Sequence, residues 1–189
     1  ELAPAASAQI YAPDRSGLDL AQPGDVDELL RRTNAELIVN CGAYTAVDAA
    51  EGEEDLARRI NADAPGVLAQ AAARAGIGMV HISTDYVFGG ELTGRAYRED
   101  DDVGPIGAYG RTKLAGEQAV LASACRSVIL RTAWVVSPFG KNFVKTMLRL
   151  AEERDELGVV ADQFGNPTSA YDIARAILTV GKRLAGEPD

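Results

Sequence analysis

Tyr109-Gly110-Arg111-Thr112-Lys113 sets a phenol and an ammonium four residues apart. On a helix those two side chains share one face, a turn apart. A free tyrosine titrates at about 10 and is a poor proton donor at neutral pH. A neighbouring ammonium favours the phenolate and lowers that value. The phenol then becomes a usable general acid for an oxygen gaining negative charge. Such pairs also occur by chance on ordinary helix surfaces. A second feature narrows the choice: Ser83-Thr84-Asp85 follows the apolar run Met79 to Ile82. A hydroxyl at the end of that strand can hydrogen-bond the same oxygen that Tyr109 protonates. Thr84, Tyr109 and Lys113 thus form a Ser/Thr-Tyr-Lys constellation, with Tyr109 as proton donor and Lys113 as its activator.

Short apolar runs alternating with helical stretches must position these groups. The strand candidates are Ala8 to Ala12 (ending at Asp14), Leu37 to Asn40, Gly78 to Ser83, Ser127 to Arg131 and Leu157 to Val160. Helices are predicted at Asp25 to Arg32, Glu53 to Ala75, Tyr109 to Ser123, Lys141 to Glu153 and Ser169 to Leu184, the last capped by Thr168 or Ser169. Strands that are apolar throughout imply a sheet buried on both faces. The alternation predicts an α/β fold, a doubly wound parallel sheet of the Rossmann-like, nicotinamide-binding kind. Such sheets bind ligands beyond the carboxyl ends of their strands. Asp14, Asn40 to Tyr44 and Ser83 to Tyr86 all fall there.

Composition sets the outer bounds. The chain of 189 residues is 47% hydrophobic and 25% charged, values of an ordinary globular protein. Its formal charge of −9 argues against a nucleic-acid or anionic-membrane surface. No apolar run approaches the ~20 residues needed to span a bilayer, and no basic-apolar leader opens the chain, so a cytoplasmic location is expected. Cys41 and Cys125 fit no metal or redox motif and read as reduced thiols. The single histidine, His81, lies inside an apolar strand and reads as a satisfied core residue.

The neighbouring residues sharpen the reading. Val39-Asn40-Cys41-Gly42-Ala43-Tyr44-Thr45-Ala46-Val47-Asp48 is followed by Asn61-Ala62, Ser83 to Gly90, Tyr109 to Glu117, Arg131-Thr132-Ala133-Trp134-Val135, Asn142-Phe143-Val144 and Asp162 to Thr168. This series, in this order and over nearly the whole chain, resembles the dTDP-4-dehydrorhamnose reductase family of extended short-chain dehydrogenases. The resemblance implies reduction of the C4 ketone of a nucleotide sugar, dTDP-4-dehydro-L-rhamnose, by NADPH or NADH in dTDP-rhamnose biosynthesis. Residues 1–135 would form the nicotinamide-binding core. Residues 136–189 would begin a smaller substrate-binding region and return a helix to the core.

Position by position, the resemblance implies Thr84, Tyr109 and Lys113 as the catalytic trio, with Lys113 also on the nicotinamide ribose. Asp85 and Trp134 would line the sugar pocket. Cys41, Gly42, Ala43 and Tyr44 would run past the cofactor. Asp14 and Arg15 would meet the adenosine ribose, Asp14 suiting a free 2′-hydroxyl and Arg15 a 2′-phosphate. Asp19 and Leu20 would flank the adenine, and the Asp162 to Thr168 loop would cover the substrate. Glu99 to Asp102 reads as a solvated acidic loop, and no residue is assigned to a metal, although members of the family can use Mg²⁺. Mg²⁺ dependence and a homodimer therefore stay open. The family's Gly-rich phosphate turn is not in this sequence. Glu1 to Ala5 reads as the end of the helix that would follow it, and the chain reads as trimmed at both ends, with weak cofactor binding and low turnover expected. Two alternatives compete: a non-catalytic relative such as the regulatory subunit of methionine adenosyltransferase, and a nucleotide-sugar epimerase or dehydratase. The intact trio and the Arg131 to Trp134 run favour the reductase.

Overall fold

The computed structural model describes residues 9–91 and 94–186. Three apolar segments, β1 (Leu37–Asn40), β2 (Gly78–Thr84) and β3 (Ser127–Thr132), form a parallel sheet in the order β1-β2-β3. Leu37 lies opposite Gly78, and Thr84 opposite Thr132. The central strand is enclosed on both faces, with Met79, Val80 and His81 fully buried. That enclosure is why β2 carries no polar alternation.

Helices cover both faces of the sheet. On one face α1 (Val26–Thr33), α4 (Ala64–Ala75) and α5 (Ala108–Ala122) build the main core, in which Val26, Leu30, Leu68 and Val120 pack with Met79 and Ile38. The neighbouring Leu37 points the other way, against Gly181 of α7 (Ala170–Ala185). Alternate residues of a strand face opposite sides, so α7 backs the sheet from behind. The chain is therefore an α/β protein with the doubly wound arrangement. No helix among the described residues is long and apolar enough to cross a membrane.

Local chemistry sets the helix ends. Asp25 caps α1 by accepting from the Glu28 amide, and Asn34 closes it in the left-handed conformation. Gly107, at the N-cap of α5, has no side chain to offer. Glu51, just after the short helix α2 (Val47–Ala50), substitutes: its carboxylate accepts from the Ala108 amide at 2.7 Å. The first turn of the helix bearing Tyr109 is thus anchored from elsewhere in the chain.

Several sequence expectations are corrected. The helix expected from Glu53 to Ala75 is divided: α3 (Glu54–Arg58) passes through a π-helical turn, Arg59–Asp63, into α4. The wider turn sets the Asn61 backbone against α5, where a Cβ on Gly116 would run into the Asn61 carbonyl oxygen. Apolar periodicity does not register one extra residue per turn. Ala8 lies outside the described residues, as do Glu1 to Ala5, and positions 9–12 form no strand. Leu157 to Val160 is likewise no strand: Val159 and Val160 lie exposed, and no strand among the described residues pairs with them. The pairing occurs instead between β4 (Val135–Val136) and β5 (Thr168–Ser169), two-residue strands too short for an apolar signature. Between them lies α6 (Phe143–Glu153), capped by Asn142 through the Lys145 amide. The 135/136 boundary expected between regions falls between the two residues of β4, and Ser169 caps α7.

Candidate active site

The carboxyl ends of β1, β2 and β3 open into one cleft of about 270 Å³. It is walled by Cys41 and Ala43 after β1, by Thr84 at the end of β2 with Asp85 and Tyr86 following it, and by Tyr109 and Lys113 of α5. Ala133, Trp134 and Val135 close the side beyond β3. The sheet, not proximity in sequence, brings together the expected trio and sugar-pocket residues.

Thr84 is buried, and its hydroxyl has side-chain neighbours in Asp85 and Tyr109. It donates to the Asp85 carboxylate at 3.1 Å and hydrogen-bonds the Tyr109 phenol. One hydroxyl carries one proton and two lone pairs, so it can donate to only one of these at a time, though it can accept from the phenol while it donates to Asp85. The Tyr86 amide donates to the Thr84 oxygen at 3.2 Å and fixes its place. Burial pushes the Tyr109 phenol above its ordinary value; the Thr84 bond opposes the rise, while Asp85 and Tyr86 add to it. Tyr109 therefore stands in the site as a neutral acid. Its ring meets Tyr86 edge-on, with centroids 5.5 Å apart. Burial also pushes the Asp85 carboxyl upward, against hydrogen bonds that lower it.

The Lys113 amine departs from the simple picture of a pair. It donates to the Ile82 carbonyl at 2.7 Å, and the groups that move the Tyr109 phenol are Thr84, Asp85 and Tyr86. Burial draws the Lys113 amine down to about 8, with Glu117 and then Cys41 acting in the opposite direction. In this conformation the lysine sits at the floor of the cleft, its charge held among buried groups. His81 lies beneath it, and burial together with the Lys113 charge lowers its imidazole to about 3. Its Nδ1 accepts from Asn40 at 3.1 Å, while Nε2 has no partner among the described residues. His81 is thus a neutral core residue as expected, but only half satisfied. The Ser83 hydroxyl is likewise buried without a partner among the described residues.

Asn61 does work that was not read from the sequence. Its side chain accepts from the Tyr44 amide at 2.8 Å, donates back to the Tyr44 carbonyl at 3.1 Å, and donates to the Thr112 hydroxyl at 3.1 Å. The loop after β1 is thereby tied to α5 between Tyr109 and Lys113. Gly165 is the second omission. A Cβ there would lie 2.7 Å from the Trp134 indole, so the glycine lets the 162–168 loop lie flat beneath that ring. Trp134 itself has φ 43°, a left-handed conformation costly for a bulky side chain and common where a site dictates geometry. Both positions stand inside motifs visible in the sequence, but no spacing rule gives them their partners.

The remaining expected residues lie outside the cleft. Asp14 accepts from the Ser16 amide, the Ser16 hydroxyl and the Gly17 amide at 2.6–3.0 Å and holds a turn. Arg15 is exposed and paired with Asp19 at 3.1 Å. Leu20 packs on Gly42, which joins this segment to the loop after β1. Tyr44 turns outward and donates to Glu53 at 2.7 Å. In the acidic run, Asp101 is committed to Arg95 at 2.6 Å and to the Arg98 amide. Among the described residues no group of three histidine, cysteine or carboxylate side chains converges to hold a metal ion. The residues present do fit the nicotinamide end of a dinucleotide: small side chains at Cys41 and Ala43 leave an open wall beside the Lys113 amine.

A family model described as the RmlD substrate binding domain matches residues 1–189. A dTDP-4-dehydrorhamnose reductase from Sinorhizobium fredii is 48% identical over 176 residues, covering 93% of this chain and 59% of that protein. The crystal structure of a dTDP-4-dehydrorhamnose reductase from Clostridium acetobutylicum is similar with a TM-score of 0.89 and 42% identity, covering 97% of this chain and 65% of that one. One from Bacillus anthracis, in complex with NADP, is similar with a TM-score of 0.88 and 40% identity, covering 95% and 63%. The chain thus spans roughly three fifths of the length of these relatives.

Proposed function

The chain belongs to the RmlD substrate binding domain family, and from that premise we propose that it reduces the C4 ketone of dTDP-4-dehydro-L-rhamnose to give dTDP-L-rhamnose. One observation carries the reading: the cleft beyond three parallel strands is walled jointly by Thr84, Asp85, Tyr109, Lys113 and Trp134. A reduced nicotinamide, NADPH or NADH, supplies the hydride when bound. Cys41, Gly42 and Ala43 would hold its nicotinamide end together with Lys113, with Tyr44 bracing that loop through Asn61, and Asp14, Arg15, Asp19 and Leu20 would hold its adenosine end. The exposed Arg15 is free to turn toward a 2′-phosphate at the cost of a surface ion pair with Asp19, which is worth little. Both cofactors remain compatible with that arrangement.

Tyr109 enters as the neutral acid and gives its proton to the C4 oxygen as negative charge builds there. The Thr84 hydroxyl, fixed by the Tyr86 amide, turns its proton from Asp85 toward that same oxygen. The Lys113 ammonium stabilises the phenolate that remains. Trp134 offers an apolar ring face to the deoxysugar, and Asp85 accepts from its hydroxyls. All three proton-handling groups are present, which favours an enzyme over a non-catalytic relative. The two free thiols, Cys41 and Cys125, suit a cytoplasmic setting.

Addition of dTDP-4-dehydro-L-rhamnose to the protein with NADPH is expected to produce sugar-dependent loss of the reduced-nicotinamide absorbance. Equal rates with and without the sugar would overturn this reading.

A further inference from the structure

Lys113 and Glu117 stand one turn apart on α5, and each is 2% exposed. Two buried ionisable groups so placed need their charges balanced locally. The Glu117 carboxylate is gripped from β3 by Arg131, whose Nε donates at 3.0 Å and Nη2 at 2.7 Å. The other end of that guanidinium is also held: Nη1 donates to the Glu99 carbonyl at 3.2 Å, and the group lies 4.9 Å over the Phe88 ring. Phe88 stacks in turn on Tyr97 at 4.3 Å. Arg131 is thus fixed at both ends and keeps Glu117 in one position beneath the cleft.

From this geometry we propose that Glu117, clamped by Arg131, is a positioning residue that supplies the buried counter-charge for the Lys113 amine. The inference rests on reading Lys113 as the group that stabilises the tyrosinate. Among the described residues no other carboxylate takes that place. From the loop after β1 the lysine faces the Cys41 thiol, and from β2 the neutral His81. Asp85 and Tyr86 face Tyr109 instead. Arg111, on the outer side of α5, is occupied by Glu54 at 3.0 Å and Glu51 at 3.7 Å. Glu117 opposes the fall that burial imposes on the Lys113 amine, which stands near 8 with that carboxylate in place. Without the carboxylate, a larger share of the amine would be uncharged at neutral pH and could not stabilise a phenolate.

The direction of the effect separates this role from a packing role. Loosening the site would admit water and raise the midpoint of Lys113 toward that of free lysine, whereas loss of the carboxylate alone lowers it. The Lys113 signal is followed against pH in protein carrying ¹³C-labelled lysine, and the spectrum of Lys113→Met identifies it. In Glu117→Gln the midpoint is expected about one pH unit below wild type, a tenfold fall in the ratio of ammonium to free amine at a given pH. The alkaline limb of kcat should move down with it, and Glu117→Asp should restore both. Should the single variant fail to fold, E117M/R131M replaces the ion pair with apolar groups of similar size and is expected to show the same downward shift. An unchanged or raised midpoint in the folded variant overturns the inference. The titration requires no turnover, so a protein inactive on the sugar would count against the reductase reading and leave this result readable.

Discussion

Tyr109→Phe is expected to lower turnover by about 10²–10⁴-fold, the range that positioned general acids contribute. Cofactor affinity should stay within about twofold, since the variant removes one oxygen and keeps the ring that meets Tyr86 edge-on. The predicted size follows from where the phenol sits. Burial and the Asp85 charge hold it in the neutral form, so at neutral pH nearly every molecule carries the proton to be given. Thr84 remains in the variant but cannot replace it: a hydroxyl donating a hydrogen bond stabilises charge without releasing a proton at this pH. Steady-state kinetics with NADPH, with binding followed by Trp134 fluorescence, separates the two effects. Loss of cofactor affinity matching the loss of turnover would assign Tyr109 a structural role instead.

Lys113→Met should combine a comparable loss of turnover with a gain in stability. The folded-state value near 8 lies below the 10.5 of an ordinary lysine. Between those values the unfolded chain binds a proton that the folded chain does not, so stability rises with pH across that window. Below pH 8 the charged amine is retained at a full cost of about 3 kcal/mol, by the rule of 1.36 kcal/mol per pH unit. Removing it also removes the bond to the Ile82 carbonyl, which offsets about 1–2 kcal/mol. A net gain of about 1–2 kcal/mol is expected at pH 7, or a rise in Tm of about 3–6 °C for a domain of this size. The gain should vanish above the ordinary lysine value, where neither state carries the charge. Thermal melts at neutral and strongly alkaline pH check both statements. A variant less stable at neutral pH would show that the amine supports the fold. Stability given up at a functional position is a familiar trade, and here one side chain accounts for it.

The candidate site was legible because its residue types and order are specific: Tyr109 and Lys113 share a helix face, and Thr84 ends an apolar strand. The parallel sheet was legible because β1, β2 and β3 each carry an apolar run without polar alternation. Three kinds of feature were not. The π-turn around Asn61 breaks a continuous helical pattern without leaving a mark in periodicity. The strands β4 and β5 are stabilised by pairing with each other, not by their own composition. The buried charges Glu117 and Arg131 look like ordinary polar positions, because a sequence does not display the partner that makes burial tolerable. In the same way the expected Tyr109–Lys113 pairing gave way to a bond with the Ile82 carbonyl. Helix spacing shows that two side chains share a face, not which neighbour a flexible amine selects. Asp14 and Arg15 were placed after a strand that the described residues do not form, and there they hold a turn and a surface ion pair.

The most direct test of the account is the fate of the hydride. The protein is given dTDP-4-dehydro-L-rhamnose and NADPH carrying deuterium at both nicotinamide C4 positions, and the product sugar is analysed for label. One deuterium at C4 of dTDP-L-rhamnose, formed by wild type and nearly abolished in Tyr109→Phe, is the predicted result. Cofactor oxidised without label at that carbon, or labelled product formed equally well by the variant, would contradict it.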